Sequence, residues 1–149
     1  DVVRFKGGTV PGTDEIFESL DLRDFPLVQV SRQKNILETV VVGKAGTVKE
    51  LISNGDHSIQ IRGVLVEHDS DKLPLEKVNR LKRICDLPLA LEVESLVLNT
   101  LGIDNLVIQS YDFPPLEGFV NVQPYVLSCV SDEPVEAQIL NNLLVSKKI

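Results

Sequence analysis

After an irregular start, the chain carries short β-branched runs separated by turn residues, which is the pattern of strands. Residues 36–42 and 47–52 are two such runs, and they flank a turn with two glycines at 43–46. Asn54-Gly55 follows, and an Asn-Gly pair between apolar runs is a strong hairpin signal. Residues 58–66 then alternate with period two. The pattern predicts an antiparallel meander of three strands, with a tight turn at Asn54-Gly55.

Three later runs also predict strands, over residues 89–93, 106–111 and 122–130. Pro124 lies inside the last run and predicts an edge position or a bulge, because proline cannot donate a ladder hydrogen bond. Gly63 interrupts the earlier alternating run, and it predicts a bulge or a close approach of two backbones.

One segment has clear helical periodicity, with Pro74 at its start and Pro88 just beyond its end. The helix is predicted over residues 75–85. Its apolar residues at helical spacing are Leu75, Val78, Leu81 and Ile84. Residues 95–101 fit either a short helical turn closed by Gly102 or a continuation of the preceding strand.

Three segments are expected along the chain: an N-terminal arm over residues 1–27, a core over residues 28–133 and a C-terminal tail over residues 134–149. Glycine and proline pairs break up the arm, within which residues 1–5 predict a short strand and residues 14–20 a helical turn. The core is predicted to be α+β, an antiparallel sheet with one main helix packed on it.

Composition narrows the function classes. The 149 residues include 15 basic and 22 acidic side chains, a formal net charge of -7. This balance argues against sequence-specific nucleic-acid binding and against docking on an anionic membrane surface, both of which use basic patches. No apolar run is long enough for a membrane-spanning helix, so no membrane insertion is expected. Cys85 and Cys129 lie in apolar runs and are expected to be buried, reduced thiols.

Candidate chemistry is sparse. His57 and His68 have no partner at metal-ligand spacing, so no metal and no cofactor are expected. Glu92 and Glu94 lie two apart on a predicted strand, and paired carboxylates serve glycoside hydrolases. Such pairs act across a cleft, whereas glutamates on one strand face more often pair with Lys or Arg on the neighbouring strand. The expectation is therefore a protein without enzymatic activity.

Three stretches together carry a family resemblance across residues 27–133. They are residues 46–63 (GTVKELISNGDHSIQIRG), residues 89–108 (LALEVESLVLNTLGIDNLVI) and residues 117–133, with EGF, NVQPY and a closing SDE. In order and spacing they resemble an uncharacterised family of phage tail proteins that is frequent in prophages of Bacteroides-like bacteria. That family is similar to the small tail proteins encoded beside the tape measure of contractile phage tails.

The resemblance implies a structural component of a contractile phage tail or related injection particle, at the baseplate hub or the tail-tube end. Its implied partners are copies of itself in a ring, expected to be hexameric, and neighbouring tube, spike or baseplate proteins. The implied location is the virion or injection particle, assembled in the bacterial cytoplasm. Two alternatives stay open: a ligand- or glycan-binding module of an attachment apparatus, and a tail terminator at the head-proximal end.

Subunit contacts are expected at two apolar segments. One is the loop at residues 112–119, where two prolines stiffen a stretch too short for a core of its own. The other is the C-terminal tail, whose apolar stripe would make a marginal helix without a partner. The expected interface residues are Phe113, Pro114, Pro115, Leu116 and Phe119 in the loop, and Ile139, Leu140, Leu143 and Leu144 in the tail.

Overall fold

The computed structural model describes residues 1–43 and 45–133, apart from the side chains of Glu50 and Leu51. Its elements, in chain order, are β1 (Val3–Phe5), β2 (Gly8–Thr9), β3 (Ile16–Phe17), β4 (Leu20–Leu22), β5 (Leu27–Val40), β6 (Thr47–Val66), α1 (Leu75–Cys85), β7 (Leu91–Glu94), α2 (Leu96–Thr100), β8 (Asn105–Asp112) and β9 (Val122–Ser131).

Seven strands form one sheet in the order β4-β1-β7-β8-β9-β6-β5, and β2 pairs with β3 in a small second sheet. Every recorded pairing is antiparallel. The α+β prediction is confirmed. Helix α1 lies against β4 and β8, so it crosses one face of the sheet. Leu81, Ile84 and Cys85 on its inner side join the side chains of the sheet in a single core.

The N-terminal segment does not form an arm. Strand β1 lies inside the sheet between β4 and β7, and its Val3 and Phe5 are fully buried. The predicted helical turn over residues 14–20 is also wrong, since Ile16 and Phe17 form β3 and Leu20 begins β4. The glycine and proline breaks remain, but they separate short strands whose partners lie far away in the sequence, such as Val93 opposite Phe5.

The predicted turn at Asn54-Gly55 is wrong. Both residues lie within β6, and the chain reverses over residues 41–46 instead. Arg32 pairs with His57 and Lys34 pairs with Asn54, so β6 carries one extra residue there as a bulge. A Cβ on Gly55 would lie 2.9 Å from the Gln33 carbonyl oxygen. The glycine therefore allows a close approach of two backbones rather than a hairpin turn.

Several local predictions are confirmed. Helix α1 spans the predicted residues 75–85. Pro124 is locally at an edge, because β9 pairs with β8 only from Val126 onward. At Gly63 the prediction of a bulge or of two close backbones is wrong, because β6 and β9 pair there without a register shift and the close neighbour is a side chain: a Cβ on Gly63 would lie 2.5 Å from the hydroxyl of Tyr125.

The segment after β7, for which the sequence allowed two structures, is a short helix. The Ser95 side chain accepts a hydrogen bond from the Leu98 backbone N–H, which is the arrangement of an N-cap. The Asp1 carboxylate accepts from the Ser95 hydroxyl at 2.6 Å and from the backbone N–H of Leu96 at 3.1 Å. Helix α2 is therefore held to the start of the chain, next to the central strands.

Candidate functional site

The two longest strands, β5 and β6, extend beyond the end of the neighbouring strand β9. The last pair between β9 and β6 is Val130 opposite Ser58. Beyond that point β5 and β6 continue together as far as the Val40–Thr47 pair, and within residues 1–43 and 45–133 no third strand lies beside them. We call residues 32–57 the ribbon. At about 3.3 Å per residue, its strands extend roughly 30 Å past the end of β9.

One face of the ribbon continues the face that packs on the core. Both register shifts place the extra residue on β6, so β5 keeps its alternation throughout. Val28 and Val30 of β5 pack against the core. Ile36 and Val40 therefore lie on the same face, yet they are 47% and 75% exposed. Ile52, directly opposite Ile36, is 59% exposed.

The ribbon has few internal contacts beyond its backbone pairing. Arg32 Nε donates to the Gly55 carbonyl oxygen at 2.7 Å, and Lys49 lies 3.4 Å from a Glu38 carboxylate oxygen. An isolated two-stranded hairpin is at best marginally stable in water, and exposed apolar patches rimmed by polar residues mark interaction sites. The ribbon is thus a surface that gains stability when another molecule covers it.

The ribbon and the rest of the molecule differ in their balance of basic and acidic side chains. Residues 32–57 carry four basic and three acidic side chains, whereas residues 1–31 and 58–133 carry nine basic and eighteen acidic ones. A weakly cationic, partly apolar projection therefore extends from a strongly acidic body. This surface was missed at the sequence level, although residues 27–42 form an unusually long run free of Gly and Pro.

The structure divides the predicted interface loop. Phe113 packs against the core, with its ring 5.7 Å from that of Tyr111 in an edge-on arrangement. Pro114 and Pro115 lead the chain away, and the Pro114 carbonyl oxygen accepts a 2.9 Å hydrogen bond from Gln123. Exposed apolar side chains follow: Leu116, Phe119 and Val120. Subunit contact at this loop stays a prediction, now centred on its second half.

The other predicted interface residues, Ile139, Leu140, Leu143 and Leu144, lie outside the described residues.

Glu92 and Glu94 are paired with cations on the neighbouring strand. Lys6 Nζ lies 2.7 Å from a Glu92 oxygen and 3.1 Å from a Glu94 oxygen, and Arg4 lies 3.5 Å from Glu94. These pairs raise the pKa of Lys6, mainly through its hydrogen bond with Glu92. The arrangement is the cross-strand pairing expected on the solvent face of a sheet, not a pair of carboxylates across a cleft.

The ion pair of Asp21 provides a test at low pH. Arg4 and Arg23 donate to its carboxylate at 2.6 and 2.8 Å, and hydrogen bonding by Arg4 lowers the pKa of Asp21 from 3.8 to about 2. A lowered pKa in the folded state stabilises the fold above pH 4, and this contribution is lost as the pH falls towards 2. With solvent screening of the arginines, we expect about 1 kcal/mol.

Urea unfolding of the wild type and of Asp21→Asn at pH 5.5 and pH 2.5 measures this contribution. The difference between the two proteins should be largest at pH 5.5 and clearly smaller at pH 2.5, where Asp21 begins to be protonated in the folded state, since all other carboxyl groups are common to both. A difference that does not change with pH would contradict the assignment.

The remaining candidate groups have structural surroundings. Cys85 and Cys129 are free and buried, as predicted, and burial raises the pKa of each thiol to about 12. The His57 backbone N–H donates to the Ser131 hydroxyl, and the His68 ring lies 3.3 Å from an Asp24 oxygen. The described part of the chain holds no group of three potential metal ligands and no helix long and apolar enough to cross a membrane.

Two open clefts lie beside β4. The smaller, of about 360 Å³, has five charged side chains in its wall, and Asp24 among them lies 3.3 Å from the His68 ring. Arg23 pairs with Asp21, Lys77 donates to the Val66 carbonyl oxygen, and Arg80 donates to the Ser19 carbonyl oxygen at 3.4 Å. The charged groups of this cleft are therefore engaged within the chain, and they do not converge on a ligand.

A family described as a domain of unknown function (DUF6046) matches residues 21–142. The chain belongs to this family. The family description assigns no activity, and none of the curated proteins matches the chain. The family segment begins in β4 and runs past β9, so it includes the ribbon, α1 and the exposed loop.

Among solved structures, a chain of the virion of a native gene transfer agent (GTA) particle is similar, with 16% identity and a TM-score of 0.46. The match covers 72% of this chain and 79% of that chain. A chain of the tail of an empty GTA particle, computed with helical refinement and C6 symmetry, is also 16% identical, with a TM-score of 0.44. That match covers 72% of this chain and 77% of the other. Both TM-scores are too low to establish a shared fold.

Proposed function

We propose that this protein is a structural component of a phage-type tail or related injection particle and acts by self-assembly into a ring. The order and spacing of its sequence motifs support this proposal, since they resemble those of phage tail proteins. The pairing of Glu92 and Glu94 with Lys6 and the burial of both thiols give no support to a hydrolase.

The observation that carries the proposal is the ribbon. Its core-facing side, with Ile36, Val40 and Ile52, extends past the body and is not covered by the other residues that the structure describes. Exposed apolar side chains of this kind lower the solubility of a free monomer, and burying them in an assembly stabilises the protein. The ribbon contributes no residue to either of the two clefts beside β4.

The finer assignment follows from the same resemblance. We place the ring at the baseplate hub or tail-tube end of a contractile particle of a Bacteroides-type prophage, with six copies, assembled in the bacterial cytoplasm. Its neighbours would be tube and spike proteins. The acidic body is compatible with a channel through which DNA passes, because its negative side chains repel the DNA phosphates and prevent the DNA from binding to the channel wall.

Particles purified from a host that carries the gene test the proposal. Mass spectrometry should find the chain in the wild-type particles, and gold-labelled antibody should mark one end of the tail. The double variant Ile36→Asp/Ile52→Asp should be soluble and folded by circular dichroism but absent from particles. Ile16→Asp, at an exposed isoleucine outside the ribbon, is the matched control and should be incorporated normally. Absence of the wild-type chain from purified particles would overturn the proposal.

A further inference from the structure

We infer that the ribbon of one copy docks on the loop at residues 112–121 of the next copy, head to tail. We call this loop the acceptor loop. The inference rests on the proposed function in one respect, that the chain assembles with itself, and it names the two surfaces that meet.

The strand register places the two surfaces at opposite ends of the molecule. Strand β9 begins at Val122, opposite Val66, and ends its pairing with β6 at Ser58. The acceptor loop precedes β9, and Asn121 is tied to Glu67 by hydrogen bonds of 2.9 and 3.1 Å. The ribbon leaves the sheet beyond Ser58, about 25 Å away along the strands. A paired strand is too stiff to fold back over that span, so a copy cannot cover its own ribbon with its own loop.

The surfaces are chemically complementary. The ribbon presents Ile36, Val40 and Ile52 with the exposed cation Lys34, and Glu38 on the same face of β5 is paired with Lys49 at 3.4 Å. The acceptor loop presents three exposed apolar side chains, of which Phe119 is 61% exposed. Asp112 and Glu117 are exposed beside them, and no basic residue occurs in residues 112–121. Apolar anchors with opposite charges at the rim are the composition of a specific interface.

The backbone of the acceptor loop is already held in one conformation before it binds. Pro114 and Pro115 restrict its backbone, Gln123 Nε2 donates to the Pro114 carbonyl oxygen, and Gly118 adopts a positive φ of 86°. A loop held in one conformation loses less entropy on docking. The contact joins two different surfaces, so a pair of copies still has one free ribbon and one free loop. Interfaces of this kind form rings when the rotation closes.

Two variants, each lacking one surface, test the inference by mixing. Ile36→Asp should have a defective ribbon and an intact acceptor loop. Phe119→Asp should have an intact ribbon and a defective acceptor loop. Either alone should be monomeric by size-exclusion chromatography with light scattering, with self-association about thirtyfold weaker or more, as for loss of a central anchor. Mixed, they should form a dimer that does not grow, because only one intact ribbon meets one intact loop.

Matched controls are available at exposed positions outside both surfaces. Ile16→Asp and Phe25→Asp replace the same residue types, and both parent side chains are more than two-thirds exposed. Each control should assemble as the wild type does. Charge reversal gives a second test: Lys34→Glu and Glu117→Lys should each weaken assembly, and the double variant should recover it.

Each alternative outcome is distinct. If Phe119→Asp assembles fully while Ile36→Asp does not, the ribbon pairs with something other than the acceptor loop, and the inference is wrong. If the wild-type chain is monomeric at 100 µM while it is found in purified particles, the role as a particle component stands, but the head-to-tail contact between copies is overturned.

Discussion

Replacing Gly63 with alanine is expected to lower the free energy of unfolding by about 3 kcal/mol, a value at the upper end for overpacking a core. A Cβ at this position would lie 2.5 Å from the Tyr125 hydroxyl oxygen and 2.9 Å from the ring carbon that carries it. Tyr125 is 1% exposed and belongs to the central core, so the ring cannot swing aside without moving its neighbours. Denaturant unfolding followed by circular dichroism measures the loss.

Tyr125→Phe provides the matched partner for this experiment. It removes the oxygen that comes closest to the new methyl group but leaves the ring carbon in place. The double variant Gly63→Ala/Tyr125→Phe should therefore recover part of the lost stability, a coupling that two independent sites would not show. Equal losses in the presence and absence of the hydroxyl would show that the clash is not with the Tyr125 hydroxyl.

Leu81→Ala should also cost about 3 kcal/mol, the usual range for a leucine removed from a closely packed interior. Leu81 is fully buried and is the centre of the apolar side of α1, which covers the sheet. Leu75 lies on the same helix and is 65% exposed. Leu75→Ala therefore changes the same residue type with the same helix propensity, and it should cost less than about 0.5 kcal/mol.

Similar losses for both leucines would contradict the placement of α1, because they would mean that the two side chains are equally buried. A lower melting temperature for Leu81→Ala alone, with an unchanged spectrum at low temperature, is the expected result.

The candidate site was only partly predictable. The apolar character of residues 112–119 is visible in the sequence, and so is the pairing potential of Glu92 and Glu94. Which aromatic residue of the loop turns inward was not visible, since Phe113 and Phe119 are equally apolar. The choice follows from Tyr111, which β8 places where the Phe113 ring can pack beside it.

Periodicity within short segments was sufficient for α1, for the three later strands and for the α+β class, because each depends on which face of one element is apolar. The acidic charge and the absence of a recognisable catalytic motif are likewise properties of the sequence itself. Only the tertiary structure shows that β1 is part of the sheet and that Asn54-Gly55 lies within a long strand. It also shows that the ribbon extends beyond the end of β9. The reason is common to all three: strand pairing joins residues far apart in the chain. A local signal such as Asn-Gly is overridden when distant backbones offer more hydrogen bonds along an uninterrupted strand.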